Sequence, residues 1–172
     1  MAYRNKTYVA FASEDISCYR LMQAWREHDH IDFDFLDAHD LNIALDTSQP
    51  ETIRRRLRER LANTKQVVML LSDTTKPKGG RSNSFLYYEI ETIVKLGLPI
   101  VFANLNGSRA IQQAKLPTSL TDQFTVSVSF QAKIIQHALD NYVDSFATNA
   151  TALTPKIGPH LYPASVYQGL GL

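Results

Sequence analysis

Two rhythms of apolar and polar residues run along the chain, and the changes between them mark out its elements. Thr7-Tyr8-Val9-Ala10-Phe11-Ala12 is a stretch of β-formers that predicts a first strand. It ends in Ser13-Glu14-Asp15, where Ser13 or Asp15 is placed to cap a helix. Cys18, Leu21, Met22 and Trp25 then recur at helical spacing and predict a core-facing stripe. Ile31-Asp32-Phe33-Asp34-Phe35 alternates strictly, as a half-buried edge strand would. A polar loop from Asp37 to Asn42 follows. Ser48-Gln49-Pro50-Glu51 carries a capping-box pattern ahead of a helix with Ile53, Leu57 and Leu61 on its inner face.

Val67-Val68-Met69-Leu70-Leu71 is apolar without alternation, the mark of a central strand covered on both faces. Pro99-Ile100-Val101-Phe102-Ala103 and Thr125-Val126-Ser127-Val128-Ser129-Phe130 predict two further strands, joined by an irregular link with a helical turn near Ile111. A last helix carries Ile135, Ala138, Leu139, Tyr142 and Phe146 at helical spacing. Strands alternating with helices imply parallel pairing through crossovers. The expected fold is α/β and flavodoxin-like, a doubly wound five-stranded parallel sheet of order 2-1-3-4-5. Its ligand crevice would lie at the carboxyl ends of strands one and three. Residues 1–146 form the expected domain. Residues 147–172, rich in threonine, proline and terminal glycine, form a tail that either docks or is disordered.

One helix breaks its own pattern. On a wheel of about 100° per residue, Phe85-Leu86-Tyr87-Tyr88-Glu89-Ile90-Glu91-Thr92-Ile93-Val94-Lys95 puts its two glutamates on different sides. Glu91 falls on the polar side, one turn from Lys95, an ordinary i,i+4 partner. Glu89 falls between Phe85 and Leu96 on one flank and Leu86 and Ile93 on the other. A carboxylate in such company costs free energy unless something pairs with it or uses it. Conflicts of this kind tend to mark functional sites. Because this helix follows strand three, its first turns are expected to border the crevice.

Composition narrows the function classes. The chain has 172 residues, 44% hydrophobic and 20% charged, and its net charge of +1 gives no general basic excess for nucleic acid. Arg54, Arg55, Arg56, Arg58 and Arg60 crowd one helix, but that helix needs a solvated face. A single cysteine, Cys18, excludes an internal disulfide and suits a reducing cytosol. With no apolar leader and no run long enough to span a bilayer, a cytoplasmic protein without membrane partners is expected.

Other chemistry is thinly represented. The glycine-bearing basic loop from Lys76 to Arg81 lacks the P-loop arrangement, and no GxGxxG follows the first strand. His28-Asp29-His30 is too tight for a metal pair on one helix face, and no metal site is expected. Glu14 with Asp15, then Asp73, then Lys133 loosely mimic a phospho-receiver, although Asp73 lies beyond its apolar run and Lys133 lacks a following proline.

Taken together, residues 6–145 resemble the bacterial TIR-like domains, particularly those of Thoeris-type antiphage defence. The carriers are Tyr8 to Asp15, Ile31 to Asp37, Val67 to Ser72 and, most of all, Phe85-Leu86-Tyr87-Tyr88-Glu89-Ile90. Family members commonly place a tryptophan four residues before the glutamate, where this chain has Phe85.

The resemblance implies cleavage of the bond between nicotinamide and ribose in NAD, with Glu89 as the catalytic residue. NAD is then a substrate, and no resident cofactor is implied. A pocket for it would draw on Phe11, Ala12 and Ser13 after strand one, Asp37 and Ser72 in the following loops, and Phe85 and Tyr88 beside the glutamate. The product would be ADP-ribose or a cyclic isomer, a signal nucleotide acting on a separate effector. Self-association or a phage-derived trigger would control it. Two readings stand beside this one: a non-catalytic TIR-like interaction or sensor module, and the phospho-receiver-like domain.

Overall fold

The computed structural model describes residues 6–35 and 49–172. The element order is β1 (Thr7–Ala10), α1 (Ile16–Glu27), α2 (Pro50–Leu61), β2 (Gln66–Leu71), α3 (Thr75–Gly79) and α4 (Phe85–Leu96). It continues through β3 (Ile100–Asn104), β4 (Thr125–Ser129), α5 (Ala132–Ala150), β5 (Pro159–Leu161) and α6 (Ala164–Gly169). All five strands run parallel in the order β1-β2-β3-β4-β5. The α/β class and the flavodoxin-like parallel sheet are those expected. No helix among the described residues is long and apolar enough to cross a membrane.

The ladder is assembled differently from the expected 2-1-3-4-5. Ile31 to Phe35 keeps its alternation, with Phe33 and Phe35 buried and Asp32 and Asp34 exposed, but it is not a strand. Side chains from neighbouring elements take its backbone groups. The Asp34 amide donates to Gln136 Oε1 on α5 at 3.1 Å, and Arg26 on α1 donates to the Phe35 carbonyl at 3.2 Å. The fifth strand comes instead from the tail, as β5 pairs with β4 from Thr125↔Pro159 to Ser127↔Leu161.

Strand alternation sorts the interior into two cores. Val9, Phe11, Val68, Leu70, Val101, Ala103, Val126 and Val128 face α1, α5 and the tail. Tyr8, Ala10, Ala12, Val67, Met69, Leu71, Ile100 and Phe102 face α4, together with Leu61 of α2. Helices α1 and α5 thus cover one face, and α2 and α4 cover the other. The chain leaves β1 toward α1 on one face and β2 toward α4 on the other, so the two exits diverge at the carboxyl ends of adjacent strands.

Several local expectations shift. In α1 the buried residues are Tyr19 and Met22, whereas Leu21 is 45% exposed. Tyr19 wins the inward position because its ring stacks on Phe11, centroids 4.8 Å apart. The stretch from Lys76 to Arg81 is partly helical rather than a plain loop, since α3 occupies Thr75–Gly79. The helix at Pro50 has Gln49 at its cap, whose carbonyl accepts from the Thr52 and Ile53 amides. Ser48, of the expected capping box, lies outside the described residues, as does Asp37. The link after β3 makes a 3-10 turn at Gln113–Lys115, close to Ile111, and a second at Thr118–Leu120.

The tail is docked. Tyr167 is buried against the first core, with Tyr162, Val166, Leu170 and Leu172 packed around it. The Ser129 amide donates to the Tyr167 hydroxyl at 3.3 Å, and Lys133 Nζ donates to the Leu170 carbonyl at 3.1 Å. The Arg109 guanidinium lies 4.2 Å from the Tyr167 ring centroid, a cation–π contact.

Candidate functional site

Helix α4 begins after extended Ser84 and ends at Gly97, whose φ of 61° is the left-handed conformation of a glycine stop. Between these limits its inner stripe is Leu86, Glu89, Ile90 and Ile93, with Tyr88 and Thr92 also buried. Glu89 is 0% exposed. Opposite it stands β1, whose period of two sends Tyr8 in phase with Ala10 and Ala12 toward α4. The Tyr8 hydroxyl donates to Glu89 Oε1 at 2.5 Å, across 81 positions of sequence.

Glu91 behaves differently, as its place on the wheel implied. It lies 3.5 Å from Lys95 Nζ, the expected i,i+4 pair. A stronger partner arrives from α2, where Arg54 Nε donates to Glu91 Oε2 at 2.7 Å. That hydrogen bond is the main reason the Glu91 carboxyl titrates below the usual carboxylate range. Arg54 also pairs with Glu51 at 2.8 Å, and its guanidinium lies 5.2 Å from the Tyr88 ring centroid. Tyr88 therefore packs under a cation from α2.

At the carboxyl ends of β1 and β2 a separate polar cluster joins the two strands. Asp15 stands at the α1 cap position without capping it, because its carboxylate is turned toward the loop after β2. Its Oδ2 accepts from Ser72 Oγ at 2.6 Å and from Thr74 Oγ1 at 3.4 Å. Thr75 Oγ1 accepts the Ser72 amide at 2.9 Å and donates to the Leu70 carbonyl at 3.2 Å. Glu14, beside Asp15, pairs with Lys78 at 3.0 Å; the Lys78 hydrogen bond is the chief cause of its lowered carboxyl pKa. Ser13 is exposed and bonds to Glu14 Oε2 at 3.1 Å.

The structure brings some of the sequence-derived residues together and parts others. Ser13 and Ser72 both belong to the strand-end cluster. Ala12 is buried on the α4 face, and Phe85 is half-buried in the first turn of α4. Phe11 lies on the other face of the sheet from Glu89, stacked on Tyr19 in the core. Glu89 does not border an open crevice; it points inward against β1, one turn below the start of its helix. Tyr8 was not singled out by sequence reasoning. Its only signal was a hydroxyl-bearing aromatic in phase with two alanines, in a strand where tyrosine is a common β-former.

The acids of the receiver pattern do not converge with its lysine. The Asp73 side chain is 90% exposed and pairs with Lys115 at 3.2 Å, while Lys133 is held by the tail carbonyl of Leu170. His28 and His30 are exposed neighbours, and among the described residues no group of three His, Cys, Asp or Glu side chains is placed to hold a metal ion.

Residues 8–110 match the family described as Thoeris protein ThsB, TIR-like domain. The match begins at Tyr8, runs through α4 and β3, and covers more than half of the chain. A parallel sheet with helices on both faces, and between β2 and β3 a helix carrying an inward glutamate, is the frame on which that match lies. The chain belongs to the Thoeris ThsB TIR-like domain family and is a TIR module of antiphage defence.

Proposed function

We propose that this protein cleaves NAD at the bond between nicotinamide and ribose, with Glu89 as the catalytic carboxylate. The observation that carries the reading is a fully buried carboxylate on the inner face of α4, held by a hydroxyl from β1. When the bond breaks, its electron pair leaves with nicotinamide, which departs neutral and needs no general acid. The ribose is left with oxocarbenium character, and a carboxylate in a low-dielectric site stabilises that positive charge. Attack by water, with loss of a proton, gives ADP-ribose. Attack by a group within the same nucleotide gives a cyclic isomer. Either is a small diffusible nucleotide suited to signal to a separate effector. Because Glu89 is sealed, turnover requires the α4 side of the crevice to open, and self-association or a phage-derived trigger is the natural cause.

That same burial favours a second reading, a TIR-like interaction or sensor module in which Glu89 is a structural carboxylate. Nicotinamide release from NAD by the full chain, measured alone and with extract of phage-infected cells, separates the two. Glu89→Gln is expected to abolish release, while Glu91→Gln, altering a carboxylate bound to Arg54 and Lys95, keeps it. Full turnover by Glu89→Gln would refute the catalytic assignment. Release absent under both conditions would support the interaction module.

A further inference from the structure

We infer that Tyr8 is a positioning residue for the Glu89 carboxylate, a role that rests on the catalytic reading of Glu89. The geometry is specific. Tyr8 is fully buried in β1, its register fixed by pairing with Val67, and its hydroxyl donates to Glu89 Oε1. A phenol has two side-chain torsions, and here its ring is clamped in the core beside Val67 and Met69. The position of its hydroxyl is therefore set by the sheet. A glutamate has three torsions, so a fixed donor on Oε1 narrows the positions its carboxylate can take along the helix face. The rigid group locates the flexible one.

The chemistry also suits a phenol better than a cation. A neutral donor fixes one carboxylate oxygen without cancelling its charge as an ion-pair partner would. The nearby Arg54 is committed to Glu91 and Glu51 and lies over the Tyr88 ring. A burial argument points the same way. Replacing this tyrosine by phenylalanine would satisfy the strand and the core equally well, and the hydroxyl earns no packing of its own. Its contribution is the hydrogen bond to Glu89.

The test uses the full chain under whichever condition supports nicotinamide release by the wild type. Tyr8→Phe removes one oxygen and keeps the ring. The expected result is a kcat lowered by about tenfold to a hundredfold, the range that follows from losing one hydrogen bond to a charged group. KM for NAD should stay within about twofold, since a positioning loss falls on the chemical step rather than on binding. Replacing Tyr8 by p-aminophenylalanine, which returns an N–H donor at the same place, should restore most of the lost rate. A purely structural role would show neither the kcat-against-KM split nor the donor-dependent rescue.

Rates are taken per folded molecule, with folding measured by circular dichroism. If Tyr8→Phe folds poorly, the p-aminophenylalanine variant decides: a wild-type rate supports positioning, and a loss equal to that of Tyr8→Phe overturns it. Glu89→Gln run in parallel separates the two levels. An inactive Glu89→Gln with a wild-type kcat in Tyr8→Phe overturns the role of Tyr8 alone. An active Glu89→Gln overturns the reading of Glu89, and the role of Tyr8 with it.

Discussion

The tail offers a test of the fold that does not depend on any activity. In a parallel ladder, successive amides of a strand point alternately to its two neighbours. Along β4, the Thr125 amide reaches outward to the Gly158 carbonyl, while the Phe130 amide reaches inward to Asn104. Ser129 shares the outward phase of Thr125, but β5 stops pairing at Leu161, opposite Ser127. The amide of Ser129 therefore lies past the end of the ladder, on a residue only 1% exposed. The Tyr167 hydroxyl from α6 replaces the missing strand carbonyl.

Tyr167→Phe deletes that acceptor and nothing else, since the ring, its packing and the Arg109 contact survive the change. Stranding a buried amide costs about 1–3 kcal/mol. For a chain of this length each kcal/mol lowers Tm by about 2–4 °C. Tyr167→Ala adds a cavity and removes the cation–π contact, for a loss of about 3–5 kcal/mol. Urea unfolding followed by circular dichroism measures both, and hydrogen exchange at the Ser129 amide reports the local event. The expected pattern is a graded loss, Phe then Ala, with faster exchange at Ser129 in both. If Tyr167→Phe changed stability by less than about 0.5 kcal/mol and left Ser129 protected, the end-of-ladder account would be wrong.

Two further outcomes follow from packing and titration. Gly79 ends α3 against α4, and a Cβ there would stand 2.8 Å from Ile90 Cδ1 and 3.3 Å from Pro117 Cβ. Gly79→Ala should cost about 1–3 kcal/mol in urea unfolding, and adding Ile90→Val, which removes Cδ1, should recover part of it. Burial, then the neighbouring Tyr167, pushes the Tyr162 hydroxyl up from 10.0 to about 12, and burial pushes Tyr142 up as well. The folded state thus keeps protons that the unfolded state releases. Stability from these groups is complete below pH 10 and falls as pH rises through about 12, with Tyr162→Phe flattening that decline in a pH series of melting curves.

The sequence showed most clearly what depends on local pattern. The runs at 67–71, 100–103 and 125–130 are apolar enough to be strands whatever lies beside them, and they are the centre of the sheet. Glu89 was legible for the same reason, because an acid within an apolar arc is visible on a wheel. Features decided by distant partners were not. Ile31 to Phe35 alternates correctly, yet Gln136 and Arg26 claim its backbone. Pro159 to Leu161 has no apolar run at all and becomes a strand because β4 offers an edge. The link between Arg54 and Glu91 spans 37 positions, and the bond between Tyr8 and Glu89 spans 81. No window of sequence contains both ends of either.

The sheet keeps the two parts of the molecule chemically apart. Period-two alternation in β1 sends Tyr8 to the α4 face and Val9 to the α1 face, so neighbours in one strand serve different cores. The tail packs on the α1 and α5 side, while the Glu89 carboxylate is held on the other. A layer of sheet backbone stands between them. At the strand ends, Ser72 and Asp15 tie the turn after β1 to the loop after β2. This bond sits at the carboxyl ends of two adjacent strands whose following helices lie on opposite faces. The fold thus joins its two faces at the strand ends through short polar side chains, while apolar packing holds each face separately.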